Sequence, residues 1–420
     1  MGSRSGRIAA AALAAACVFS VVSCGDDSSS DSGGGGTAIA PGVEATGTPI
    51  KVGLFNPSKG PATQAGVTTG KNAAIEYINK QIGGIGGHPI EVVDCGIDNT
   101  SPESTISCAN QFVQAGVVAA LDGYNAESSA AMPILTSAGI PLVGQIPFNT
   151  ATGAVPENRV FFGPPPAAFL VGFLQSLKQA GKNSLTLVNS DLPQAHQVFD
   201  NLLTPLGKQL GIEVKSAYYP PTGPNFTALA STIADGSPAA GGLMTAPNDN
   251  TCNKLAQALK SVKYTGTVFL AACTEFVDIL GAQAVGAQAY SPVWLPPAVD
   301  AAPEPAKSNL KIAEKFIENA GGTAGFYAYG TFSLLVDFAQ GLASAAPAEF
   351  TGPSILTALK GLTDYQSFLG PKLTCGKATT PNCTTDMLLF EVTGDKKQAP
   401  VSGGYITPSP EVLKLIPGAA

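Results

Sequence analysis

The residues able to do chemistry are few, and they are mostly sulfur. The chain has eight cysteines and only two histidines, His88 and His196. Nucleophilic catalysis needs a Ser, Cys or Thr held beside a base, yet no GxSxG, HExxH or papain-like cysteine motif occurs. His88 sits in the turn-like GGHPI and His196 in a helical stretch, so no triad suggests itself and no enzyme is expected. A zinc site would want cysteines at CxxC spacing or histidines close to them; neither is present, so neither a metal nor any other cofactor is expected. Six cysteines, Cys95, Cys108, Cys252, Cys273, Cys375 and Cys383, lie within the body of the chain, and an even number in an exported chain suggests disulfides. Composition leaves their connectivity open. Pairing of sequence neighbours is the expectation: Cys95 with Cys108, Cys252 with Cys273, and Cys375 with Cys383.

The other two cysteines stand at the amino terminus. Arg4 and Arg7 precede an apolar, alanine-rich run from Ile8 to Val22, which is short for a bilayer span and has the charge order of a secretory signal. Val21-Val22-Ser23 leads into Cys24, and a Ser/Asp/Gly tract follows. This resembles the lipobox of bacterial lipoproteins, in which the cysteine is diacylated and becomes the new amino terminus. The resemblance implies a signal peptide over residues 1–23 and a membrane anchor on Cys24, where two acyl chains each contribute ~0.8 kcal/mol per buried CH₂. Cys17, after Ala14-Ala15-Ala16, is a competing site without a polar tract behind it, and an ordinary signal cleavage site is the other alternative. Residues 24–47 carry almost no large apolar side chain and read as a flexible tether.

The whole chain has 23 basic and 30 acidic side chains, a formal charge of −7. Loss of Arg4 and Arg7 with the leader takes it to −9, which argues against a nucleic-acid partner. No later apolar run is long enough for a membrane span, and the length from residue 48 onward calls for more than one core.

The elements repeat. IKVGLFN and IEVVDC read as buried strands flanking a helix over Thr68–Lys80; Ser104–Ala115 and Ser128–Ala138 are helical around the strands AALDGYN and IPLVGQI. A second series has helices over Ala168–Ala180, Ala195–Leu210, Phe226–Ala234 and Cys252–Val262 between the strands SLTLVNS, EVKSAYY, GGLMTA and TVFLAA. Alternation of this kind predicts an α/β fold with parallel sheets covered by helices on both faces, built twice. FFGPPPAAF and WLPPAVDAAPEP are Pro-rich segments at which the chain is expected to pass between the halves. Ala306–Ala346 supplies more helix, and LTCGKATTPNCTTDMLLFEV reads as a hairpin.

IKVGLFNPSKGPATQAGVTTGKNAAIEYINKQIGGIGGHPIEVVDC, residues 50–95, resembles the opening strand, GPxSG-like loop, first helix and Gly-Gly-Ile turn of the type I periplasmic-binding-protein family. The branch it is most similar to is the branched-chain amino acid (Leu/Ile/Val) substrate-binding proteins of ABC importers. IPLVGQIPFNTA and FYAYGTFSLLVDFAQGLASA match later family segments more loosely. The resemblance implies two doubly wound, Rossmann-like lobes joined by three crossovers: residues 48–165 plus 298–365, and residues 166–297 plus 366–407, with a tail at 408–420. It implies a small-molecule ligand in the interlobe cleft, closure about a hinge, delivery to an ABC permease and a monomer anchored outside the cell membrane. A ligand-sensing receptor for a membrane signalling protein uses the same fold and is the alternative.

Carried over position by position, the resemblance places ligand-binding residues in loops after strands: Ser58, Tyr124, Asn125, Gln145, Ile146 and Phe148 in the first half, Gln194, Asn248, Asp249 and Glu275 in the second, and Tyr327 in FYAYG. Several positions depart from the amino-acid-binding pattern. Tyr124-Asn125-Ala126 replaces a serine-rich turn, Phe148 a Ser/Thr, Ala65 an aromatic and Gln194 a tyrosine. The acidic group that receives an α-ammonium has no unambiguous equivalent. A buried charge needs a partner, so these losses argue against a plain α-amino acid, and the expected ligand is a small molecule of the amino acid, amide or aromatic-like class.

Overall fold

The computed structural model describes residues 42–414, apart from residues 221, 246–248, 275 and 323, and describes the backbone alone at residues 194, 249, 278, 410 and 413. The leader, Cys24 and most of the tether, together with Asn248 and Glu275, therefore lie outside the described residues.

Two parallel sheets form the scaffold. In the first, β1 (Ile50–Lys59), β2 (Ile90–Asp98), β3 (Ala119–Asp122), β4 (Leu142–Gly144) and β5 (Arg159–Phe161) run in the order β2-β1-β3-β4-β5. In the second, β6 (Ser184–Ser190), β7 (Glu213–Tyr219), β8 (Ala240–Leu243), β9 (Thr267–Leu270) and β10 (Gln288–Ser291) take the equivalent order, β7-β6-β8-β9-β10. β11 (Tyr365–Gln366) and β12 (Lys372–Leu373) pair with each other. β13 (Leu388–Gly394) and β14 (Lys397–Pro400) extend the second sheet antiparallel from β10. Each sheet thus has a topological switch point beside its first strand, the place where open α/β sheets form a crevice at the carboxyl ends of their strands.

The strands read as near-continuous apolar runs because helices cover both faces. Phe55, Phe112, Leu135 and Phe161 are among the residues closing one core, and the Cys95–Cys108 disulfide lies in it. Val188, Leu243, Leu255 and Phe276 close another around Cys252–Cys273. The third disulfide joins Cys375 and Cys383, so all six body cysteines pair with their sequence neighbours. The helices Ala306–Ala320 and Phe326–Ala345 pack on the helix Ala65–Lys80 of the first sheet, although they follow the strands of the second.

Three passages between the sheets are laced together. Phe161 N donates to Pro381 O (2.8 Å), Cys383 N donates to Phe161 O (2.8 Å), and Asn382 Nδ2 donates to Gly163 O (2.8 Å). Trp294 N donates to Leu369 O at 2.9 Å. Asp337, wholly buried on the helix Phe326–Ala345, accepts from Ser333 Oγ (3.0 Å), Ser367 Oγ (2.6 Å) and Phe368 N (2.7 Å). Burial pushes its carboxyl up to about 6 in spite of these donors.

One expectation is corrected. LTCGKATTPNCTTDMLLFEV is not a hairpin: Leu373 pairs with Tyr365, the disulfide loop seats on Phe161–Gly163, and β13 pairs instead with β10 and β14. The apolar half of that segment finds the open edge of the second sheet, which two strands tied by a disulfide loop could not cover alone. The helix expected over Ala195–Leu210 forms without a break from Pro193 to Leu210, and widens by one residue per turn at Phe199–Leu203, next to Pro205, which has no N–H for the helical ladder.

Candidate functional site

The loop after β3 is the most elaborately held part of the first half. Tyr124 adopts φ +65°, uncommon for a bulky residue, and side chains pin the turn around it. Asn99 Nδ2 donates to Tyr124 O (3.2 Å), Ala126 N donates to Asn99 Oδ1 (3.2 Å), and Asn149 Nδ2 donates to Ala126 O (2.8 Å). Beneath the turn Asn125 is fully buried. Its backbone N donates to Asp122 Oδ1 (2.7 Å), and its side-chain Oδ1 accepts from Thr105 Oγ1 (3.2 Å) and Glu127 N (2.9 Å). Burial drives the Asp122 carboxyl up to about 7, only partly offset by the Asn125 N–H. Ser128 Oγ is directed to Thr152 Oγ1 (2.9 Å), and Asp122 Oδ2 and Asn125 Nδ2 are buried without a partner.

The pinned turn presents an aromatic cluster. The Tyr124 ring meets Phe148 at 5.2 Å and Tyr327 at 5.1 Å, both edge to face, and Phe326 at 5.6 Å. Tyr124 itself is buried, Tyr327 half-buried and Phe148 exposed. The Tyr124 hydroxyl points at the helix Phe326–Ala345, where a Cβ on Gly330 would stand 1.9 Å from it. Gly330 thus makes the room that the ring occupies.

The second half approaches at the start of that helix. Phe326 N donates to Thr274 Oγ1 (3.4 Å), just beyond β9. Gly325 has φ +107°, and a Cβ there would sit 2.9 Å from the same hydroxyl, so only glycine lets Thr274 come this near. Gln194 lies in the first turn of Pro193–Val198 and Asp249 begins the helix Asp249–Ser261, each following the carboxyl end of a parallel strand.

Of the candidate residues, Tyr124, Phe148 and Tyr327 are brought into one contact group, with Asn125 under it. Gln145 and Ile146 are buried after β4; Gln145 O accepts from Gly163 N at 2.7 Å, and Gln145 Oε1 has no partner. Ser58 is exposed at the end of β1 over Gly96 of β2, on the side away from β3. Sequence reasoning passed over Asp122, Asn99 and Asn149, which hold the turn, and Thr274 and Phe326, which bring the halves together. The Asx-rich wording of these loops was the available signal. Among the described residues no group of three His, Cys, Asp or Glu side chains is arranged to hold a metal ion, and no helix is long and apolar enough to cross a membrane.

The sequence profile of the periplasmic binding protein family matches residues 49–398, most of the chain. The chain belongs to the periplasmic binding protein family. No curated protein sequence matches it significantly. Solved structures share the fold at low identity. An ABC transporter substrate-binding protein from Aeropyrum pernix superposes with a TM-score of 0.71 at 13% identity, over 87% of this chain and 97% of that one. A solute-binding protein of an ABC transporter from Rhodopseudomonas palustris, in complex with 4-hydroxybenzoate, gives 0.66 at 18% identity, over 86% and 98%. A possible leucine/isoleucine/valine-binding protein from Rhodopirellula baltica gives 0.61 at 15% identity, over 86% and 98%. This periplasmic binding protein therefore has the type I architecture of two doubly wound α/β halves, as its strand orders indicate.

Proposed function

We propose that this periplasmic binding protein is the extracytoplasmic, lipid-anchored solute receptor of an ABC importer. It holds a small, flat, weakly polar molecule, aromatic or amide-like, between lobes formed by residues 48–165 plus 298–365 and 166–297 plus 366–407. The observation that carries the ligand class is the cluster of Tyr124, Phe148 and Tyr327, with Phe148 exposed and Tyr327 half-buried beside the Thr274 contact from the second half. Aromatic edges and faces set at these distances recognise another planar ring or amide. Pinning of the Tyr124 turn by Asn99 and Asn149 means that little ordering remains to be done on binding. A related fold from Rhodopseudomonas palustris was solved with an aromatic acid bound, which supports the same class. Ligand contact with both lobes favours the closed form by its differential affinity, and a permease can then separate loaded from empty receptor. The acyl chains on Cys24 keep the receptor near the permease and raise its effective concentration there.

Isothermal titration of the full-length protein against aromatic acids, aromatic amides, ureas and branched-chain amino acids tests the ligand class. Aromatic or amide ligands should bind, and Phe148→Ala and Tyr327→Ala should each weaken binding tenfold or more. Tight binding of leucine that ignores both substitutions would overturn it. Cys24→Ala should move the protein from the membrane fraction to the soluble fraction.

A further inference from the structure

The helix Phe326–Ala345 carries Tyr327 in its first turn, yet it starts from Gly325, which has no side chain to receive the N–H groups that open a helix. Several other helices bring their own cap. Ser101, Asn225 and Thr351 each accept, through the side chain, from the backbone N–H three residues further on. For Phe326–Ala345 the oxygen comes from the opposite half of the molecule: Thr274 Oγ1, just beyond β9, accepts from Phe326 N at 3.4 Å.

Each partner is fixed to its own half. Cys273, the residue before Thr274, is crosslinked to Cys252 of the helix Asp249–Ser261, and its N–H donates to Leu270 O of β9 at 3.1 Å. The first turn of Phe326–Ala345 is seated as closely on the helix Ala65–Lys80. A Cβ on Gly66 would stand 3.0 Å from Ala328 N and 3.1 Å from Tyr327 Cβ, and one on Gly70 only 2.2 Å from Ala328 O. With backbone packed this tightly, the turn cannot slide after Thr274, nor Thr274 after the turn, so parting of the lobes must break the hydrogen bond. We propose that Thr274 is a positioning residue for the solute site: it caps the Tyr327-bearing helix only in the closed receptor, and the cap is withdrawn when the cleft opens. Closure thereby completes the turn that presents Tyr327, and the cap biases the ligand-free hinge toward the closed form before any solute binds. This rests on the hinge closure proposed above and is independent of the ligand class.

The test is single-molecule energy transfer on the ligand-free full-length protein. Glu103 and Thr227, exposed at the starts of the helices Pro102–Ala115 and Phe226–Ala234 that follow β2 and β7, are replaced by p-azidophenylalanine and coupled to donor and acceptor dyes. Thr274→Val keeps the shape of the side chain and removes the cap oxygen, so it should raise the ratio of open to closed molecules at least about threefold. Hydrogen exchange in the first turn of Phe326–Ala345 should speed up by a similar factor. Thr274→Ser, which keeps the oxygen, should hold the wild-type ratio, and Thr274→Ala gives the same comparison if the valine variant does not fold. An unchanged ratio in the variants without the oxygen, or a serine variant that opens as far as they do, would overturn the proposal. The outcome separates from that for hinge closure itself. One fixed distance in the wild type, with and without every solute tried, would sink the closure and the cap with it; two populations whose ratio ignores the Thr274 oxygen would sink the cap alone.

Discussion

Gly330→Ala tests the seat of the aromatic cluster most directly. The added Cβ would stand 1.9 Å from the Tyr124 hydroxyl, 3.2 Å from Cζ and 3.9 Å from Cε2. The ring cannot swing away, because Phe148, Phe326 and Tyr327 surround it and its own backbone is held by Asn99. Overpacking of this kind costs about 1–3 kcal/mol, while alanine in a helix interior returns about 0.5–1 kcal/mol over glycine. The net expectation is a loss of about 1–2 kcal/mol. Tyr124→Phe removes the clashing oxygen and, with it, a buried hydroxyl that has no partner, so alone it should be neutral or stabilising. In the Tyr124→Phe background the nearest ring atom is 3.2 Å from the new Cβ, a gap that tenths of an ångström relieve. Gly330→Ala should then cost at least about 1 kcal/mol less than in the wild type, which is the coupling expected of touching residues. Urea unfolding of the four proteins in the cycle, with unchanged slopes, gives that number. Equal costs in both backgrounds would mean that Tyr124 does not rest on Gly330, and the placement of Phe148 and Tyr327 derived from it would fall.

Two further outcomes follow from the buried groups and the crosslinks. Asp122 and Asp337 have folded values near 7 and 6 against an ordinary 3.8, so the native state binds the extra protons. The stability they contribute is full below about pH 4 and is lost as pH rises through about 6 to 7; Asp122→Asn/Asp337→Asn should flatten stability over that window, and a wild-type-like pH curve in the double variant would refute the assignment. Cys375→Ser/Cys383→Ser opens a loop of sequence separation 8 and should lower stability by about 2–3 kcal/mol, with a wild-type unfolding midpoint as the refuting result.

Much of the fold was legible in the sequence for a local reason. Apolar runs of strand length alternating with 3.6-period helices leave few architectures other than helix-covered parallel sheets, and the second series repeats the pattern of the first. The neighbouring cysteines paired as spacing suggested because each pair is separated by a short segment whose return is itself local. Where distant pairing competes with local pairing, the reading failed. LTCGKATTPNCTTDMLLFEV has the alternation of a hairpin, but the free edge of β10 and the backbone of Phe161–Gly163 offered better partners, and neither is visible from inside the segment.

The site divides along the same line. Aromatic types at Tyr124, Phe148 and Tyr327 could be named from the family resemblance of the sequence, Tyr124 and Phe148 in loops after strands and Tyr327 at the start of the helix Phe326–Ala345. That they touch depends on Gly330, far from Tyr124 along the chain, leaving room for one ring. Residue type and spacing were determined by the sequence because they are properties of neighbours in the chain. Which side chains face one another, and which polar atoms are left without a partner, was decided only by the packing of two sheets whose helices cross from one to the other.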